Sequence, residues 1–126
     1  MKDEFKTITI DYDNIAWHEC LERINFILND RKDILKIQVY NSPLSNYKKN
    51  IWLRIKRKHS YHLYVFMCDY IQWEEIMYLR RRWKDDGKRI EIDLMKTVPE
   101  TKMIMFRSKT RKGYKFNEIF IGEFWT

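Results

Sequence analysis

Apolar and polar positions alternate through the first stretch of the chain. Ile8, Ile10 and Tyr12 alternate with Thr7, Thr9, Asp11 and Asp13, the period of a strand with one face buried. Asn14 then offers an N-cap to a helix in which Trp17, Cys20, Leu21, Ile24, Ile27 and Leu28 recur at three- and four-residue steps. A second strand is predicted over Ile34 to Tyr40, followed by the turn-rich NSPLSNYKKN. Alternation returns over Ile51 to Arg57, and a turn through Lys58–Ser60 leads to a hairpin partner over Tyr61 to Met67. Ile76, Leu79 and Trp83 predict a second helix from about Ile71 to Lys84, ended by Asp85–Asp86–Gly87. Arg89 to Met95 reads as a further strand with Ile90, Ile92 and Leu94 inward. Two last strands, near Met103–Arg107 and Tyr114–Ile121, flank the basic turn SKTRKG.

The order βα, β-hairpin, αβ with a β extension predicts an α+β fold: a ferredoxin-like, RRM-like palm. Its mostly antiparallel sheet carries two helices on one face and a β-hairpin extension at the C-terminus. The 126 residues suffice for a single domain over 1–126. A composition 44% hydrophobic and 16% aromatic excludes a disordered chain, and no apolar run approaches a membrane span. No secretory leader is evident, which predicts a cytoplasmic protein, in the host cytoplasm if the source is a virus. Cys20 and Cys68 are isolated and read as reduced core residues. With no ligand pair at zinc-like spacing, no zinc is expected. A net charge of +7 favours polyanionic partners.

Side-chain direction brings in the chemistry. With the aliphatic residues turned to the helices, Asp11 and Asp13 point to the open face. His62 and Tyr64 do so if Leu63, Val65 and Met67 are core, and Asp93 does so if Ile90, Ile92 and Leu94 are core. Three carboxylates gathered this way repel one another without a cation. Hard oxygen ligands suit Mg²⁺ or Mn²⁺. Taken singly, an Asp pair at a strand end is more often a turn or helix-cap device than a metal site, and a lone His62 more often a packed or surface histidine than a ligand.

IDYD, HSYHLYV and RIEID, in that order, resemble the three motifs of the archaeo-eukaryotic primase and primase-polymerase superfamily, in its minimal plasmid or virus form of archaeal type. KTVPETKMIMFRSK is similar to the basic-x-Pro-x-Thr…Lys run of plasmid members, with Lys96, Pro99, Thr101 and Lys109 as counterparts. The resemblance implies a template-dependent nucleotidyltransferase in replication, with Asp11, Asp13 and Asp93 as catalytic metal ligands. It implies that Ser60 and His62 contact the triphosphate of an incoming NTP or dNTP, joined by Arg54, Lys56 and Lys109. Trp52 and Tyr64 are candidate stacking surfaces for a single-stranded DNA template, beside Arg57 and Lys58 of a basic hairpin. Other replication proteins are potential partners. The alternatives are a catalytically inactive RRM-like module that binds single-stranded nucleic acid, a degenerate primase relative, and a rolling-circle replication endonuclease. That last reading lacks its metal-binding His pair, because His62-Leu63-Tyr64 stands in its place.

Overall fold

Two strands that lie parallel with a third between them organise the molecule. The computed structural model describes residues 4–42, 58–99, 102–105, 108–111 and 113–126, the side chains at 58, 108, 109, 111 and 116 excepted. Strand β1 (Glu4–Ala16) runs into helix α1 (Trp17–Asp30), which crosses to β2 (Ile34–Asn41). The long β3 (Lys58–Gln72) inserts between β1 and β2, antiparallel to both, giving a split β-α-β unit. Helices α2 (Trp73–Arg82) and α3 (Gly87–Leu94) follow. A hairpin comes next, β4 (Ser108–Arg111) with β5 (Tyr114–Asn117), and then β6 (Ile119–Trp125). Gly113, at φ 82°, adopts the left-handed backbone ahead of β5. The sheet order is β1-β3-β2-β6, all antiparallel neighbours. The predicted ferredoxin-like α+β class and C-terminal hairpin are therefore observed. The sheet's last strand adds at β2, and β1 forms the opposite margin.

One apolar layer joins the helices to the sheet. Ile8, Ile10 and Tyr12 of β1 lie opposite Val65, Leu63 and Tyr61 of β3, all buried. Cys20, Ile24 and Ile27 of α1, with Ile76, Leu79 and Trp83 from the second helical stretch, close over them. The Tyr12 hydroxyl donates to the Trp83 carbonyl at 2.5 Å, fastening the end of α2 to the sheet. Cys68 is exposed, contrary to expectation.

Three local readings need correction. Asn14 is not a helix cap: α1 begins after Ala16 with no side-chain cap. Asp13 and Asn14 instead stand together opposite Ser60, since Tyr12 pairs with Tyr61 and Ile15 with His59. This is a β-bulge, with Asn14 in the left-handed conformation (φ 54°) that asparagine tolerates. Residues 89–95 are not a strand. Asp86 caps α3 by accepting from Lys88 N at 3.0 Å, and of the three supposed core positions only Ile90 is buried. Residues 102–105 are turn and coil rather than the start of a strand.

The strand predicted over 51–57 lies outside the described residues. So do Trp52, Arg54, Lys56, Arg57 and Thr101, and the side chains of Lys58 and Lys109. Among the described residues no helix is long and apolar enough to cross a membrane.

Candidate metal site on the margin strand

Where another strand would continue the sheet beyond β1, the side chains of Asp85 and Arg89 take over. Arg80, entirely buried, donates to Asp85 Oδ2 at 2.6 Å and to Asp93 Oδ2 at 2.9 Å. Arg89 joins Asp85 at 2.9 Å and donates to the Thr9 carbonyl at 3.1 Å. It also bonds the Thr9 hydroxyl, which donates to the Met103 carbonyl at 2.8 Å. The Asp11 amide, on the outward side of β1, donates to Asp85 Oδ1 at 2.8 Å, and so does the Asp86 amide at 2.8 Å. The outward Thr9 carbonyl and Asp11 amide of the margin strand are thus satisfied by an ion-pair network rather than left bare.

The turn that delivers Asp85 has a local cause. Lys84 adopts φ 63°, and the Lys84 and Asp85 amides return to the Arg81 and Arg80 carbonyls, a Schellman ending for α2. Asp86 follows at once as the α3 cap, so Asp85 turns inward and Asp86 outward.

This arrangement redraws the acidic cluster. Carboxylate oxygens of Asp11, Asp13 and Asp86 all lie within 4.8 Å of one another. Asp93 does not join them. Helical rather than strand geometry turns it into the network, where Lys96 binds Oδ1 at 3.1 Å and the Met103 amide donates to Oδ2 at 3.0 Å. Burial alone would raise the Asp93 pKa, but the bonds from Lys96, Met103 and Arg80 outweigh it and hold the carboxyl below its usual range. Its expected place as a third ligand on the open face is therefore corrected. Asp86, read from sequence as part of a helix stop, comes to the cluster instead. The available signal was the Asp-Gly-Lys start of a helix, which the Ile90/Ile92/Leu94 alternation masked.

Asp11 is the strained member. Its pKa is pushed up to about 7, first by burial and then by the Asp13 charge, against the lowering influence of Arg89; Asp85 and Asp86 add to the rise. Its Oδ1 is buried without a hydrogen-bond partner, and His62 Nε2 stands 3.9 Å away. Three hard-oxygen groups with one such orphaned acceptor fit a divalent cation of the Mg²⁺ or Mn²⁺ type.

His62 and Tyr64 do sit on the face opposite the helices, but neither is open to solvent. Glu118 lies against both: His62 Nδ1 is 2.9 Å from Oε2, and the Tyr64 hydroxyl donates to both oxygens at 3.0 and 3.2 Å. Tyr64 is consequently no free stacking platform. Burial depresses the His62 pKa against the opposing pull of Glu118, so its ring is neutral near pH 7. Ser60 supports the bulge, its hydroxyl accepting from the Asn14 amide at 3.4 Å.

Asp11, His62, Tyr40 and Phe120 are consecutive partners across all four strands, one rung running from the acidic cluster to β6. Tyr40 meets Phe120 at a ring separation of 5.3 Å, and Phe120 is 52% exposed. Neither Glu118 nor Phe120 carries a sequence signal, since both owe their place to β6 adding at β2. Comparisons with protein-family models, with curated proteins and with solved structures give no match.

Proposed function

We propose that the protein is a metal-dependent enzyme of phosphoryl transfer on nucleic acid, a nucleotidyltransferase of the primase-polymerase kind. The observation that carries this reading is the convergence of Asp11, Asp13 and Asp86, one of which, Asp11, also has a buried oxygen without a hydrogen-bond partner. In a chain of net charge +7 such a cluster is the exception to the field around it and calls for a cation shared with an anionic substrate. Mg²⁺ or Mn²⁺ held there would offset charge on phosphoryl oxygens and lower the pKa of an attacking hydroxyl. The protein's own part is positional. The bulge places Asp13, and the Asp85 carboxylate fixes the Asp11 and Asp86 backbones.

The test is nucleotide incorporation on a single-stranded template with Mn²⁺, comparing wild type with the Asp11→Asn/Asp13→Asn double variant. Incorporation lost in the variant supports the proposal. No incorporation by a folded wild type, with oligonucleotide binding equal in both proteins, overturns it. The rung of aromatic rings ending at the half-exposed Phe120 favours a second reading, a single-strand binding module without chemistry. Equal binding without turnover is the outcome that reading requires.

A further inference from the structure

The two margins of the sheet differ in how they end. At β1 the outward Thr9 carbonyl and Asp11 amide are taken by Arg89 and Asp85. At the other margin, among the described residues, β6 pairs with β2 alone. A strand that ends a sheet is ordinarily guarded by an outward Lys, a Pro or a covering element, since bare N–H and C=O groups pair with any strand that meets them. Ile119–Trp125 contains no Lys, Arg or Pro. Its single charge, Glu123, leans inward over β2: it accepts from Gln38 at 2.9 Å and from Trp125 Nε1 at 3.0 Å, and meets Lys36 at 3.2 Å. The register shift between Phe120 and Gly122 is a bulge, which bends the strand without covering it. Ile119, Phe120, Ile121 and Trp125 are all exposed, an unusual density of large apolar side chains for one short marginal strand.

We propose that β6 is a homodimer interface, in which the β6 strands of two copies pair antiparallel about a two-fold axis and join two four-stranded sheets into one. The charge pattern selects a second copy over a polyanion. The chain carries a net charge of +7, yet β6 holds no cation and its one carboxylate is already bound to Lys36. The complement of such an edge is another apolar, uncharged edge, which β6 itself supplies. With the axis near Gly122, the Ile119–Ile121 half of one strand meets the Glu123–Trp125 half of the other, and neither Glu123 faces its own copy. The area agrees. Phe120 and Trp125, 52% and 57% exposed, each leave about 100 Å² of side chain in water. Taken over two copies, with the isoleucines and the paired backbone, the buried surface comes to about 1,000 Å², the low end for a specific interface and that of a reversible dimer. The pairing is independent of the chemistry at the acidic cluster, which lies on the opposite margin.

The test is sedimentation velocity of the full chain from low micromolar to near-millimolar concentration, under reducing conditions so that the exposed Cys68 forms no disulfide. Wild type should pass from monomer to dimer as concentration rises and stop there, because two-fold pairing uses both β6 edges and the β1 margins are covered. Ile119→Glu/Ile121→Glu sets three carboxylates of one strand against three of its partner and should weaken association about tenfold or more. Amide exchange of wild type, followed against concentration, gives an answer should that variant fail to fold: protection should rise across Ile119–Trp125 and stay level in β1. A chain that is monomeric throughout overturns the proposal, and so does a dimer whose β6 amides gain no protection or that survives unweakened in the folded variant. Growth beyond the dimer overturns the two-fold arrangement. Protection of β6 that appears in a monomer only when a single-stranded oligonucleotide is added assigns the edge to nucleic acid and overturns the homodimer.

Discussion

Replacing Asp85 with alanine tests the network and the site it holds. The Asp85 side chain is wholly buried and serves two guanidinium groups, Arg80 at 2.6 Å and Arg89 at 2.9 Å, and two backbone amides, Asp11 and Asp86, each at 2.8 Å. Removing one partner of a buried ion pair costs about 3–5 kcal/mol, because the remaining charge stays uncompensated. Here Arg80 keeps Asp93 and Arg89 keeps the Thr9 carbonyl, which holds the loss toward the lower end. A stranded amide adds about 1–3 kcal/mol. These terms share one carboxylate and do not sum, so a loss of about 4 kcal/mol is expected. A domain of this size has a stability of about 5–15 kcal/mol, so Asp85→Ala should still fold, with a reduced margin. In urea, with a slope of about 2 kcal/mol per molar, the midpoint should fall by about 2 M. Asp85→Asn, which keeps an acceptor for the two amides, should fall between the variant and wild type. Amide exchange at Asp11 should accelerate in Asp85→Ala more than at Ile10, whose backbone pairs with β3. A midpoint shift below about 0.5 M would refute the view that this network carries the margin of the sheet.

Three further outcomes follow from the same geometry. Without divalent cation, Asp11 contributes stability below its unfolded pKa of 3.8 that is lost as pH rises to about 7, since the folded state holds the extra proton in that window. The stability of Asp11→Asn relative to wild type should therefore grow by about 1.4 kcal/mol per pH unit between those values and then level off; a flat difference across pH 4–8 counts against the raised pKa. Phe120→Ala should weaken binding of a single-stranded oligonucleotide about 5–150-fold in fluorescence anisotropy, the equivalent of one stacked base, while leaving Mn²⁺ affinity unchanged. Tyr12→Phe removes the bond to the Trp83 carbonyl and should cost about 1–2 kcal/mol in thermal or urea denaturation, with no change in cation binding.

The elements that were legible in sequence are those whose pattern faces one continuous core. Ile8–Ile10–Tyr12, Leu63–Val65–Met67 and Cys20–Ile24–Ile27 are each read in the right period, because long amphipathic runs have a single way to bury themselves. Eight residues of α3 are too few to separate the two periods, and Ile92 and Leu94, taken for core, are exposed. That one ambiguity carried Asp93 to the wrong face and hid Asp86. Asn14 reads as a helix cap, whereas its place in the fold comes from a different property, the tolerance of left-handed backbone that a bulge needs. Arg80 lies in the basic run RRRWK, where solvent exposure is the ordinary expectation, yet it is the buried centre of the network, because nothing local announces that Asp85 and Asp93 will meet it. Asp11, Asp13, His62 and Tyr64 needed only the alternation of their own strands, and their facing was read correctly.

The covered margin of β1 also gives the sheet a direction of growth. A strand arriving from another chain at β1 would have to displace Arg89 from Thr9 and Asp85 from the Asp11 amide. It would thereby break the Asp85 carboxylate bridge between the Asp11 and Asp86 amides, which holds two members of the acidic cluster together. Addition beyond β6, three strands away, disturbs none of these bonds. Strand pairing at β1 and the bonds that hold the acidic cluster together are thus mutually exclusive in this fold.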